Sequence, residues 1–236
     1  MREVAQRAFA REFNAATYTF REDDDERAPI YALLPTGAKA NRVFIVGALT
    51  ETEDVGSDNE YWQEQIVDPT GTVFVYTGQY QSEAASMLRE TEPPAFVAVV
   101  GKPRTYETDD GTVNVSLRPE HLTVVDADTR NRWVTATARR TLERIERFDD
   151  RANEYARMAH EQSGDDTEQY RQAIIEALES LGSTPEEASS QKAEEADRAR
   201  ETEATNPAAS TPGDRESSAE LAANAESDDL GDFDSN

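Results

Sequence analysis

The sequence predicts a mainly β protein: a five-stranded Greek-key barrel with flanking helices and a disordered acidic C-terminal tail. Three observations predict it. Between Arg42 and Asp126 the residues fall into five strand-like runs, separated by turn-forming residues. A short helical run interrupts them between the third and the fourth. Beyond Asp126 the apolar spacing becomes helical, and after Gly182 almost nothing apolar remains.

Residues 2–14 read as a short amphipathic helix with Ala5, Phe9 and Phe13 at four-residue spacing. A polar connector, "REDDDERAP" (21–29), follows, and "IYALLPTGAKA" (30–40) ends in turn residues. The first strand, "RVFIVGALT" (42–50), is a continuous run, as expected of a strand buried on both faces. Gly47 inside it marks a bend that lets one strand serve two sheets. "EYWQEQIVD" (60–68) is the second strand, joined through "PTG" to the third, "TVFVYTGQY" (72–80). "SEAASMLRETE" (82–92) breaks the strand period and fits a helix of two to three turns, stopped by Pro93 and Pro94. "AFVAVVGKPRTYE" (95–107) is the fourth strand, with Pro103 implying a bulge or an edge. "VNVSLRPEHLTVVD" (113–126) is the fifth. Three strands, a helix and two strands is the element order of the OB-fold. The predicted units are an N-terminal helix and acidic connector (1–40), the barrel (41–127), C-terminal helices (128–182) and the tail (183–236).

Among the helices, residues 129–150 place Val134, Ala138, Leu142, Ile145 and Phe148 on one stripe. Two readings of that stripe are open: it folds back on its own barrel, or it pairs with a partner subunit, and the spacing favours the partner. Arg139, Arg140, Arg144 and Arg147 lie largely off the stripe and are expected to be solvated beside Glu143 and Glu146. A further helix over 165–182 is stopped by Gly182. The tail is poor in apolar residues and is expected to be disordered.

Charge is the strongest global signal. The 236 residues carry 49 acids and 24 bases, a net charge of −25, and only Lys39, Lys102 and Lys192 are lysines. The excess is spread along the chain, with 15 acids and 4 bases in residues 183–236 and the remaining 34 and 20 before them. Such a chain resembles the proteins of salt-accumulating halophilic archaea. In that setting a net negative charge does not exclude a nucleic-acid partner. The Debye length is about 3 Å in 1 M salt, so repulsion from phosphates is screened, and stacking must supply affinity. There is no cysteine, which removes thiolate metal sites and cysteine nucleophiles. No apolar run approaches the ~18 residues of a membrane span, so a high-salt cytosol with nucleoid association and no membrane is the expected location.

An OB barrel with "VDPTGTVFVYTGQY" (67–80) at its second hairpin, "PAFVAVVGKP" (94–103) in its fourth strand and trailing helices resembles the haloarchaeal replication protein A-associated proteins. The likeness covers about residues 40–150. It implies an OB-fold protein that works beside single-stranded-DNA-binding subunits in replication and repair. The implied partners are single-stranded DNA and a replication protein A-like subunit, in a hetero-oligomer.

Strand alternation puts Val73, Val75 and Thr77 on one side and Phe74, Tyr76 and Tyr80 on the other. If the valines face the core, the aromatics line the face that OB-folds use for nucleic acid. The alternative is that Phe74 and Tyr76 lie under the N-terminal segment or a partner. Trp62 either contacts DNA or closes the barrel end. Arg42, Lys102, Arg104 and Arg118 are candidate phosphate contacts, with Tyr106 beside them. Leu230 and Phe233, in "ESDDLGDFDSN", form a candidate recruiting peptide similar to the acidic tails of bacterial single-strand-binding proteins. Catalysis is not expected. His121 and His160 sit in unrelated segments, and the acidic runs at 23–26 and 126–128 do not stand out from the acidic background. No cofactor or metal is expected.

Overall fold

The computed structural model describes residues 3–25, 27–56, 60–78, 81–150 and 152–190. Five strands build the barrel: β5 (Val43–Asp54), β6 (Trp62–Asp68), β7 (Gly71–Thr77), β8 (Ala95–Glu107) and β9 (Val113–Val124), with helix α2 (Ser82–Glu90) between β7 and β8. Their order is β5-β6-β7-β9-β8, and β8 returns to pair with β5. This is the predicted OB-fold barrel.

Closure depends on β5. Its first half, Val43–Leu49, pairs with β8, while Ala48–Asp54 pairs with β6, with a bulge between Leu49 and Glu51. Gly47 sits where the strand bends from one partner to the other. A Cβ there would fall 2.4 Å from the carbonyl oxygen of Val67, so only glycine lets β5 and β6 approach this closely. β8 is bound on both sides only as far as Gly101. Beyond it, Lys102–Glu107 pair with β9 alone, which accommodates the missing N–H of Pro103.

The barrel is filled by Ile45, Leu49, Ile66, Val73, Val75, Val97, Val99 and Leu117, all buried. The N-terminal segment adds β1 (Gln6–Arg7), parallel to the start of β5, and α1 (Ala10–Asn14). Asp68 fixes that segment: its Oδ2 accepts from the Ala10 N–H at 2.6 Å while its Oδ1 accepts from the Thr70 N–H and hydroxyl. The helix predicted over 2–14 is therefore confined to its second half, because Gln6 and Arg7 are taken up by β5. A small meander of β2 (Thr19–Arg21), β3 (Ile30–Leu34) and β4 (Ala38–Ala40) follows, which the sequence pattern did not indicate.

Helix α3 (Ala127–Glu146) crosses β5 and β8, capped by Asp126 accepting from the Thr129 N–H. Its Trp133 donates Nε1–H to the Phe44 carbonyl at 3.1 Å and meets Phe9 edge-on, ring centroids 5.5 Å apart. Helices α4 (Glu154–Ser163) and α5 (Glu168–Glu179) pack against β3–β4 and α3. Here the expectation of a partner-binding stripe is corrected. Val134, Ala138, Ile145 and Phe148 are all buried within this chain, and Leu142 alone is exposed. The stripe is spent on the chain's own barrel, α1 and α4–α5. Arg144 is corrected too: rather than being solvated, it pairs with the buried Glu12 at 2.7 Å and bonds Thr36. Arg139 and Arg140 do pair with Glu143. Residues 185–190 are helical, with Ala188 buried against Ala48 and Phe96, so ordered structure runs past residue 183.

Candidate functional site

The β6–β7 register decides which side chains share a face, because residues directly opposite on paired strands project the same way. Asp68 pairs with Gly71, so the turn holds only Pro69 and Thr70, and the ladder runs Ile66–Val73, Gln65–Phe74, Glu64–Val75, Gln63–Tyr76 and Trp62–Thr77. Val73, Val75 and Thr77 are fully buried. Phe74 and Tyr76 are therefore on the outer face, as the strand period predicted.

The same register removes Trp62 from that face. It projects with Glu64 and Thr77 toward the barrel interior, half-buried, with an indole Nε1 that is buried and has no hydrogen-bond partner. Of the two readings of Trp62, DNA contact or closing the barrel end, the register supports the second: it stands on the opposite side of the sheet from Tyr76, at the barrel end. In its place the structure supplies Tyr61. This ring lies against Tyr76, centroids 5.6 Å apart and planes inclined by 19°. Gly78 leaves the room for it, since a Cβ at that position would come within 3.3 Å of the Tyr61 ring.

β9 and β8 continue the outer face. β7 and β9 pair in parallel at Val75 and Leu117, both interior, which brings Tyr76 alongside the outward residues of β9. Across β9 and β8 the outward pairs are Lys102 with Arg118, Arg104 with Ser116, and Tyr106 with Asn114. Asn114 Nδ2 donates to the Tyr106 hydroxyl at 3.3 Å. The face thus gathers Phe74, Tyr76, Lys102, Arg104, Tyr106 and Arg118 from the predicted set and adds Tyr61, Gln63 and Gln65. Lys102 and Arg118 are like charges directly opposite each other, an arrangement that is destabilising in itself. Arg42 is elsewhere in its chemistry, held by Glu120 through Nε at 2.5 Å and Nη2 at 2.8 Å. Tyr80, Leu230 and Phe233 lie outside the described residues.

Exposure differs among the rings. Phe74 is 37% exposed, whereas Tyr76 is 7% exposed beneath Tyr61. Tyr76 also donates its hydroxyl to Gln63 Oε1 at 3.3 Å. Burial pushes the Tyr61 phenol up to about 12, against the pull of Arg118 and Arg104. Burial likewise raises Tyr76, assisted by Tyr106, Tyr61 and Glu64. Both phenols are thus neutral rings near neutral pH, flanked by cations. Tyr61 was missed because its face depends on the hairpin register. A three-residue "PTG" turn would have put Trp62 on the Tyr76 side, and a one-residue slip exchanges the two.

No family model matches the chain, and no curated protein matches it. Among solved structures it is similar to the Stn1–Ten1 complex of S. pombe, at 14% identity over 55% of this chain and 85% of that one (TM-score 0.38). It is similar to Rim1, a mitochondrial single-stranded DNA binding protein of S. cerevisiae, at 20% identity over 36% of this chain and 94% of that one (TM-score 0.30). It is also similar to SSBb, the second single-stranded DNA binding protein of Mycobacterium smegmatis, at 16% identity over 36% and 86% (TM-score 0.31). The class of protein is set by the strand order and barrel closure described above. The chain is an OB-fold protein with an N-terminal extension and a C-terminal helical layer.

Proposed function

We propose that this chain binds single-stranded DNA on the outer face of β6, β7, β9 and β8, without catalysis, as part of a replication protein A-like complex in a high-salt cytosol. One observation carries the reading. The stacked Tyr61–Tyr76 pair and the exposed Phe74 share a face with Lys102, Arg104 and Arg118, in a chain whose net charge is −25. Flat rings beside cations suit unpaired bases beside phosphates. Base–aromatic stacking contributes about 1–3 kcal/mol per base and survives salt that screens charge.

A second reading has an observation of its own. Tyr76 is nearly buried, and the exposed Glu51 and Glu53 of β5 border the same face through their pairs with Gln65 and Gln63. On that reading the barrel is an adaptor that holds a larger single-strand-binding subunit. Titration of labelled oligo-dT in molar KCl separates the two, using the chain alone and then the chain co-expressed with a replication protein A-like subunit. Binding by the chain alone supports the first reading. Binding seen only with the subunit favours the adaptor.

A further inference from the structure

The interior face of β6 carries a polar group with no role in the outer surface. Glu64 is fully buried; the Thr77 hydroxyl donates to its Oε1 at 2.7 Å, and its Oε2 has no hydrogen-bond partner. Two more buried polar atoms without partners share that face. They are Thr52 Oγ1, directly across on β5, and Trp62 Nε1, two residues back along β6.

Among the described residues, the surrounding charges do not balance an ionised carboxylate there. On β5, Asp54 shares the interior face at the exposed rim and is itself an acid, while Glu51 and Glu53 project outward. Glu107 of β8 is exposed at its own rim. Tyr61, Tyr76 and Tyr106 lie on the outer side, with Lys102 and Arg104 of β8 and Arg118 of β9. His121 of β9 is exposed. The described α2 side chains buried in the core, Ala84, Ala85 and Leu88, carry no charge. A buried carboxylate without a cation is strongly disfavoured, so the group keeps its proton. Burial pushes the Glu64 carboxyl up to about 8, with the Thr77 hydrogen bond pulling the other way.

The Glu64–Val75 pair lies between Gln63–Tyr76 and Gln65–Phe74, so whatever disturbs it disturbs the ring-bearing positions on either side. We propose that the protonated carboxyl of Glu64 holds β6 and β7 in the register that presents Tyr61, Phe74 and Tyr76, and that losing this proton loosens the strand pair and weakens nucleic-acid binding. The proposal rests on the nucleic-acid reading above and adds its regulation by pH.

Two readouts on the full chain keep the two ideas distinguishable. In a Trp133→Phe background, Trp62 fluorescence reports on the interior face without DNA. It is expected to titrate between pH 7 and 9, to lose that transition in Glu64→Gln, and to titrate at higher pH in Thr77→Val, which removes the hydrogen bond to the carboxyl. If only the protonated form binds, oligo-dT affinity falls about tenfold between pH 7 and 9 in the unsubstituted chain, and stays level in Glu64→Gln. A Trp62 signal that does not change between pH 6 and 9, or a fall in affinity that persists unchanged in Glu64→Gln, overturns the proposal. A Trp62 transition without oligo-dT binding at any pH leaves the proton site standing and overturns the nucleic-acid reading, together with its regulation. Should Glu64→Gln not fold, the direction of the Thr77→Val shift decides.

Discussion

Tyr61 and Tyr76 stack on the outer face of the barrel, ring centroids 5.6 Å apart, although Tyr61 precedes the first residue of its strand. The consequence is a two-ring platform next to a row of cations, with Phe74 exposed beside it. This grouping, in an acidic chain, is the basis for the expectations below.

The Lys102–Arg118 opposition gives a trade-off between folding and binding. Like charges directly opposite on paired strands are destabilising, so removing one of them relieves repulsion in the free protein. Lys102→Ala is therefore expected to raise the urea midpoint slightly while weakening oligo-dT binding and lowering the salt dependence by about one phosphate contact. Loss of stability with unchanged affinity would remove Lys102 from the site.

The α3 stripe makes a second contrast. Ile145 is buried in the chain's own core while Leu142, on the same helix, is exposed. Ile145→Ala is expected to cost about 2–5 kcal/mol, and Leu142→Ala to stay within about 0.5 kcal/mol, by chemical denaturation. Equal, small costs would return the stripe to a partner interface.

Stability should depend on pH through two buried acids. Burial raises Asp68 to about 6 and Glu64 to about 8, both above their unfolded values. A raised acid stabilises the fold fully below its unfolded pKa, and the contribution is lost as pH climbs through the folded pKa. From these two groups, the thermal midpoint falls between about pH 4 and 8, the upper part of the fall belonging to Glu64. Melting curves of Glu64→Gln should lose that upper part. An identical pH profile in the variant would contradict the assignment.

Much of this molecule was legible in the sequence. The alternation of Val73, Val75 and Thr77 against Phe74 and Tyr76 gave the faces of β7, and Gly47 marked the bend that closes the barrel. Pro103 marked the point where β8 becomes an edge. What was not legible depended on partners distant in sequence. Gln6 and Arg7 look helical until β5 recruits them. The stripe of α3 has the same period whether it packs on its own barrel or on another chain. Trp62 and Tyr61 are adjacent, and only the two-residue turn at Pro69–Thr70 decides which of them faces outward. The β2–β4 meander, with strands of three to five residues, is too short to show a period.

The central claim is that the Tyr61–Tyr76 platform, and not Trp62, grips unpaired bases. The direct measurement is fluorescence anisotropy of labelled oligo-dT in molar KCl with the full chain, Tyr61→Ala, Tyr76→Ala and Trp62→Phe. Tyr61→Ala is expected to weaken binding by about 1–3 kcal/mol, roughly 5- to 150-fold, Tyr76→Ala to weaken it by removing the ring on which Tyr61 rests, and Trp62→Phe to leave it nearly unchanged. Affinity that survives both tyrosine substitutions, or that is lost with Trp62→Phe alone while the fold is intact, would contradict the account.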